Sequence, residues 1–187
     1  VYSGGIIRHT AVLAVGGDHV SNDLAYGLKV PLGRAEDLKI KYGSALVADA
    51  DKGQTVTLTN ELGLHVKTIN LEHLRRIMAL RIEELFEIIA TELSQAGLLN
   101  YLCAGVFICG GGARIAGVDQ VAARVFDMPA TLGKASSISG LKSALDQPEF
   151  ATAAGLVKYG AAQQKKRTGG GLARSIRKRF QTFMGRA

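Results

Sequence analysis

Three consecutive glycines close an apolar run in LCAGVFICGGGARIAG, residues 102–117, and backbone chemistry toward a ligand starts there if anywhere. Leu102 to Phe107 are apolar or small and predict a buried strand covered on both faces. Gly110, Gly111 and Gly112 have no Cβ, so backbone N–H groups can approach a ligand closely and positive φ is open to them. A helix over Val118–Phe126, with its positive end near that turn, favours an anion there. Plain α/β packing produces the same pattern without any ligand.

Charged pairs are the second source of chemistry. Glu36 and Lys39 stand three apart on an expected helix opened by Pro31 and stopped by Gly43, so they share one face. Arg81 and Glu84 repeat that spacing on a long helix. Read alone, the first is a solvated surface pair and the second an exposed intrahelical ion pair. Cys103 and Cys109 lie six apart in the apolar stretch, which predicts buried free thiols on one strand face, with neither a zinc nor a redox spacing. His9, His19, His65 and His73 show no ligand spacing and no orienting partner.

The elements that must position these residues are legible from patterning. VYSGGIIRHTAVLAV predicts a hairpin turning at Ser3-Gly4-Gly5, its first strand mostly missing and its second running to Val15, as in a piece of something longer. Val20, Leu24 and Leu28 recur at helical spacing, with Asp18 available as a cap. Thr55–Thr59 and Leu64–Ile69 predict a small β element. Asn70 is a good N-cap for a helix from Leu71 to Ala96 that Gly97 terminates, with Leu71, Leu74, Ile77, Met78, Leu85, Phe86, Ile89 and Leu93 on its apolar face. A short strand over Pro129–Leu132, a polar loop at Ser136–Gly140 and a helix from Pro148 to Tyr159, ended by Gly160, complete the body.

Charge separates that body from the end of the chain. The 187 residues carry a formal net charge of +7, yet eight of the 23 Lys and Arg fall after Gln163, where no acid occurs. Without that end the net charge is −1, so a whole-domain nucleic-acid surface does not follow. Ala161–Gly171 predicts a flexible linker. In Leu172–Met184, Leu172, Ile176, Phe180, Phe183 and Met184 fall within an arc of about 120° at helical periodicity. Arg174, Arg177 and Lys178 lie opposite, and Arg179 flanks the arc, where its stem can snorkel. A helix docked on its own domain needs no such basic bias, and a nucleic-acid arm needs no bulky apolar stripe. Binding to an anionic membrane surface uses both, at about 1 kcal/mol per basic residue near the surface. No run reaches the roughly 18 apolar residues of a membrane span.

Taken together, GGIIRHTAVLAVGGDHVSNDLAYGL, AEDLKIKYG, LRIEELFEII, VFICGGGARIAGVDQVAARVFDMPATLG, ATAAGLVKYG and the amphipathic end resemble, in order, the C-terminal part of the FtsA family of bacterial actin-like cell-division proteins. The GGG loop and the AEDLK-type helix resemble MreB and DnaK-type chaperones as well, which makes an ATP-dependent chaperone or another actin-like ATPase fragment the alternative. The resemblance implies an α/β, actin-like (ribonuclease H-like) half-fold with a small β/α subdomain. Residues 1–16 and 86–145 would form subdomain IIA and 17–85 subdomain IIB. Residues 146–160 would return to subdomain IA, 161–171 would be a linker, and 172–184 a membrane-targeting helix. It implies that Gly110, Gly111, Gly112 and Ala113 face the sugar and α-phosphate of ATP, carried with Mg in the intact protein, and that Glu36 and Lys39 contact ribose and adenine. Arg81 and Glu84 would bind the tail of FtsZ. The implied role is an adaptor that self-associates and anchors the FtsZ ring to the cytoplasmic face of the cell membrane, at most a weak ATPase, with no nucleic-acid partner.

Overall fold

The computed structural model describes residues 1–59, 62–134 and 146–165. Val1–Leu132 forms one compact unit and the chain from Gly133 onward a second. The first unit begins with a hairpin, β1 (Tyr2–Ser3) against β2 (Ile6–Ile7), with Tyr2 opposite Ile7. Gly4 and Gly5 both take positive φ, 58° and 76°, the backbone that a tight two-residue hairpin turn demands. The second strand stops at Ile7, not at Val15 as the apolar run suggests. Its residues are exposed, and so is Val12, so burial does not extend the pairing.

Helix α1 (Gly17–Leu28) buries Val20, Leu24 and Leu28. Its N-cap is Gly16, not Asp18, which lies inside the first turn. There the Gly16 N–H donates to His19 Nδ1 at 3.2 Å, a local role for a histidine with no evident partner in sequence. Helix α2 (Leu32–Tyr42) packs on α1 through Ala35 and Leu38. Pro31 is its cap rather than its first residue, and Gly43 ends it with φ −69°, outside the left-handed region. Gly43 is needed for space, since a Cβ would sit 2.2 Å from the Lys39 carbonyl oxygen.

Strands β3 (Thr55–Thr59) and β4 (His65–Asn70) form an antiparallel pair with Val56 opposite Ile69. Asn70 then caps α3 (Leu71–Gln95), its side chain accepting from the His73 N–H at 2.9 Å. At the other end Gly97 takes φ 67°. The Gly97 N–H donates to Ser94 O and the Leu98 N–H to Leu93 O, both at 2.9 Å, a Schellman closure. Leu71, Leu74, Met78, Ile82 and Phe86 are the buried stripe of α3. Ile82 belongs to it although the apolar face read from sequence omitted it. Ile77, Leu85, Ile89 and Leu93 pack at the margin of the same core.

Past α3 the chain makes a 3-10 turn (Leu99–Tyr101), β5 (Val106–Ile108), a second 3-10 turn (Gly111–Arg114), α4 (Val118–Phe126) and β6 (Ala130–Leu132). Strands β5 and β6 pair in parallel, Phe107 beside Thr131, with α4 as the crossover. Val118, Val121, Ala122 and Phe126 bury α4 in the core that α3 organises, and the Phe86 and Phe126 rings meet edge to face at 5.9 Å.

Residues 102–107 do not form a strand buried on both faces. Of Leu102–Phe107 only Val106 and Phe107 are strand, Phe107 is 68% exposed, and Cys103 and Cys109 are exposed rather than buried. Gly105, at φ 91°, interrupts the run before β5, so strand alternation never reaches Cys103. Cys109 lies just past the end of β5 at Ile108 and is exposed there.

In the second unit, Pro148–Phe150 is a 3-10 turn that leads into a helix over 151–165, α5. Gly160 does not end that helix, so 161–165 are helical rather than linker. Ala161, Ala162, Gln163, Gln164 and Lys165 are good helix formers, and one interior glycine costs only about 1 kcal/mol. The expected loop at Ser136–Gly140 and the amphipathic segment 172–184 lie outside the described residues.

Candidate nucleotide and partner sites

Glu36 and Lys39 are brought together, with the lysine enclosed and the Glu36 side chain 43% exposed. Packing of α2 on α1 sets them against Gly17 and Ser21. Lys39 Nζ lies 2.6 Å from Glu36 Oε2 and donates at 2.9 Å to Ser21 Oγ and at 3.2 Å to the Gly17 carbonyl. The Ser21 hydroxyl also donates to Glu36. The Lys39 side chain is only 12% exposed and Ser21 is buried. The hydrogen bond from Lys39, then that from Ser21, holds the Glu36 carboxyl below its ordinary value against the opposing effect of burial. Ser21, fifteen residues before Glu36, gave no sequence signal; only the α1–α2 packing reveals it.

The three glycines occupy two different backbones. Gly110 takes φ 93° two residues past the end of β5, whereas Gly111 and Gly112 open the 3-10 turn that separates them from α4. The start of α4 therefore does not follow the glycines directly, as its place in the sequence suggested. A Cβ on any of the three would meet no heavy atom within 4 Å, so the backbone is approachable from that side, while Ala113 is buried. An isolated parallel bridge, Ser44 to Ala116, joins the loop after α2 to the loop after this turn. It is reinforced by the Ala45 N–H to Ala116 O at 2.8 Å and by Ser44 Oγ to the same oxygen at 3.3 Å. The loops that follow the two groups of sequence-predicted nucleotide residues thus meet at this bridge.

Arg81 and Glu84 are joined by a third residue. Arg81 Nη1 lies 2.6 Å from Glu84 Oε2, as the spacing on α3 implies. Its Nε and Nη2 donate to both oxygens of Asp23 on α1, the Nη2 bond at 3.0 Å. Asp23, by hydrogen bond first, raises the guanidinium's pKa above its ordinary value. Arg124 lies 3.0 Å from Glu83 alongside. Asp23 is 58 residues from Arg81, too far along the chain for any local pattern to pair them.

Two further ties were equally unreadable. His9 Nε2 lies 3.2 Å from Glu92 Oε1, giving it the partner that sequence failed to show. Arg75 reaches the Tyr42 carbonyl at 3.1 Å and the buried Asp51 at 2.5 Å. The Ala48 N–H first, then Arg75, holds the Asp51 carboxyl below the usual carboxylate range. Among the described residues no cluster of His, Cys, Asp and Glu could hold a metal, and no helix is long and apolar enough to cross a membrane.

The backbone superposes on MreB 5 of Spiroplasma citri bound to AMPPNP with a TM-score of 0.61 at 17% identity, over 89% of this chain and 50% of that one. Its ADP-bound counterpart gives 0.59 over 83% and 47%. The fold is actin-like α/β. The family model for "Cell division protein FtsA" matches residues 1–155, and the chain belongs to that family. It is 33% identical over 164 residues to the cell division protein FtsA of Pseudomonas aeruginosa, covering 88% of this chain and 39% of that protein. Against the FtsA of Neisseria meningitidis serogroup B the figures are 31%, 93% and 45%, and against that of Escherichia coli K12, 32%, 86% and 40%. The chain therefore spans about two fifths of the length of these relatives.

Proposed function

We propose that this chain is the FtsZ-binding and membrane-anchoring part of a cell-division adaptor. Arg81 and Glu84 on α3 meet the acidic tail of FtsZ, and the basic amphipathic segment 172–184 lies on the anionic cytoplasmic face of the cell membrane. ATP bound in the intact protein controls self-association. The reading rests above all on membership of the FtsA family over residues 1–155. The clustering of eight basic residues after Gln163 adds the membrane half.

The nucleotide part follows from residues whose surroundings suit it. The open side of Gly110–Gly112 admits a close approach to backbone, and Glu36 and Lys39 offer a carboxylate and an ammonium to a sugar and a base. ATP would supply the negative charge and the binding energy for assembly; the chain's own groups would orient it. Lys39 would exchange one of its three present acceptors for a ligand atom.

Co-sedimentation with anionic vesicles tests the adaptor directly. FtsZ should pellet with vesicles only when the chain is present. The Phe180→Asp, Phe183→Asp double variant should leave both proteins in the supernatant. If that variant still carries FtsZ to the vesicles, the tail is not the anchor.

A further inference from the structure

Arg81 is fully supplied with carboxylates before any partner arrives. The side-on fork of its guanidinium, Nε with Nη2, is filled by Asp23, and Nη1 is held by Glu84. The cluster therefore carries one positive and two negative charges, while Glu83, on another side of α3, is paired with Arg124. An acidic peptide approaching this face meets net negative charge, although an arginine lies at its centre. A bidentate arginine–carboxylate pair is a directional bond that a second carboxylate can take over in the same geometry.

We infer that Asp23 is an internal competitor for the partner site: its carboxylate occupies the fork of Arg81 that an acidic peptide takes, and the peptide binds by displacing it. The inference rests on the proposal that Arg81 is a partner contact, and it adds the residue that sets the strength of that contact. Displacement is feasible at both ends. Asp23 is 31% exposed in its side chain and returns to water when released. Helix α1 does not depend on the ion pair to stay on α3, because Val20, Leu24, Leu74 and Met78 remain buried among themselves. One carboxylate replaces another on the guanidinium, so the exchange leaves no unpaired buried charge.

The test uses the chain with a short fluorescein-labelled aspartate-rich peptide, read by fluorescence anisotropy. Arg81→Ala should abolish binding. Asp23→Asn should tighten it about five-fold, the scale of one exposed ion pair removed from competition. In the parent, the Arg81 Nε–H resonance should move as peptide saturates the site, which keeps the test decisive if Asp23→Asn folds poorly. Loss of binding in Arg81→Ala with unchanged or weaker binding in Asp23→Asn makes Asp23 a positioning residue and overturns the inference, while the partner site stands. An unmoved Arg81 resonance at saturation overturns it too. Undiminished binding by Arg81→Ala removes the partner site itself.

Discussion

Asp51 is buried on a 3-10 turn, accepting the Ala48 N–H at 2.9 Å while Arg75 reaches it from α3. Because its folded carboxyl titrates below the ordinary value of about 3.9, the unfolded chain binds the proton more readily across that window. Its contribution is full above the ordinary carboxyl range and is lost as pH falls through the lowered folded value. Thermal melts of Asp51→Asn should therefore lie well below the parent at neutral pH and converge on it under acid conditions. A gap independent of pH would mean that the charge contributes nothing. Gly105 marks a steric limit instead. At φ 91°, with a Cβ position 2.3 Å from the Pro129 carbonyl oxygen, Gly105→Ala should cost about 2–4 kcal/mol in urea unfolding. That carbonyl already accepts the Val106 N–H at 2.8 Å and cannot withdraw without loosening the start of the β5–β6 ladder.

At the scale of elements, α3 does the organising, and its amphipathic stripe decides what packs on it. Leu74 is wholly buried and meets the core that α1 and α4 share, whereas Leu80 on the same helix is 65% exposed. Leu74→Ala should cost about 2–5 kcal/mol and Leu80→Ala should stay within about 0.5 kcal/mol of the parent, both read by denaturant midpoint. The span of α3 was legible, since a cap, a period and a terminal glycine are local signals that tertiary contacts only reinforce. The strand at 102–107 was not legible. A run of apolar residues records a preference for burial, but burial on both faces needs layers on both sides, and α4 covers only one face of β5. The stop at Gly160 failed for the complementary reason: a glycine ends a helix when its backbone turns left-handed, and the helix formers after it hold this one in the helix.

For the molecule as a whole, formal charge sums to near zero up to Gln163 and is wholly basic after it. If the end carries the membrane affinity, vesicle binding by the parent should fall with rising ionic strength and with the fraction of neutral lipid. The thermal melt of the body should respond to neither. Sedimentation across a salt series checks the first expectation and circular dichroism the second; binding indifferent to salt would assign the affinity to apolar burial alone.

Sequence by itself determined the helices α1 to α4, the small β element of β3 and β4, the actin-like class and the family, because caps, periodicities and motif order are properties of neighbouring residues. It also determined where the basic charge lies. Tertiary structure alone decided that Ser21 closes the Glu36–Lys39 pair, that Asp23 fills the fork of Arg81, that Glu92 meets His9, and that both cysteines face outward. Each of these depends on which faces of distant elements meet, and hydrogen bonds and burial are set by that meeting rather than by residue type.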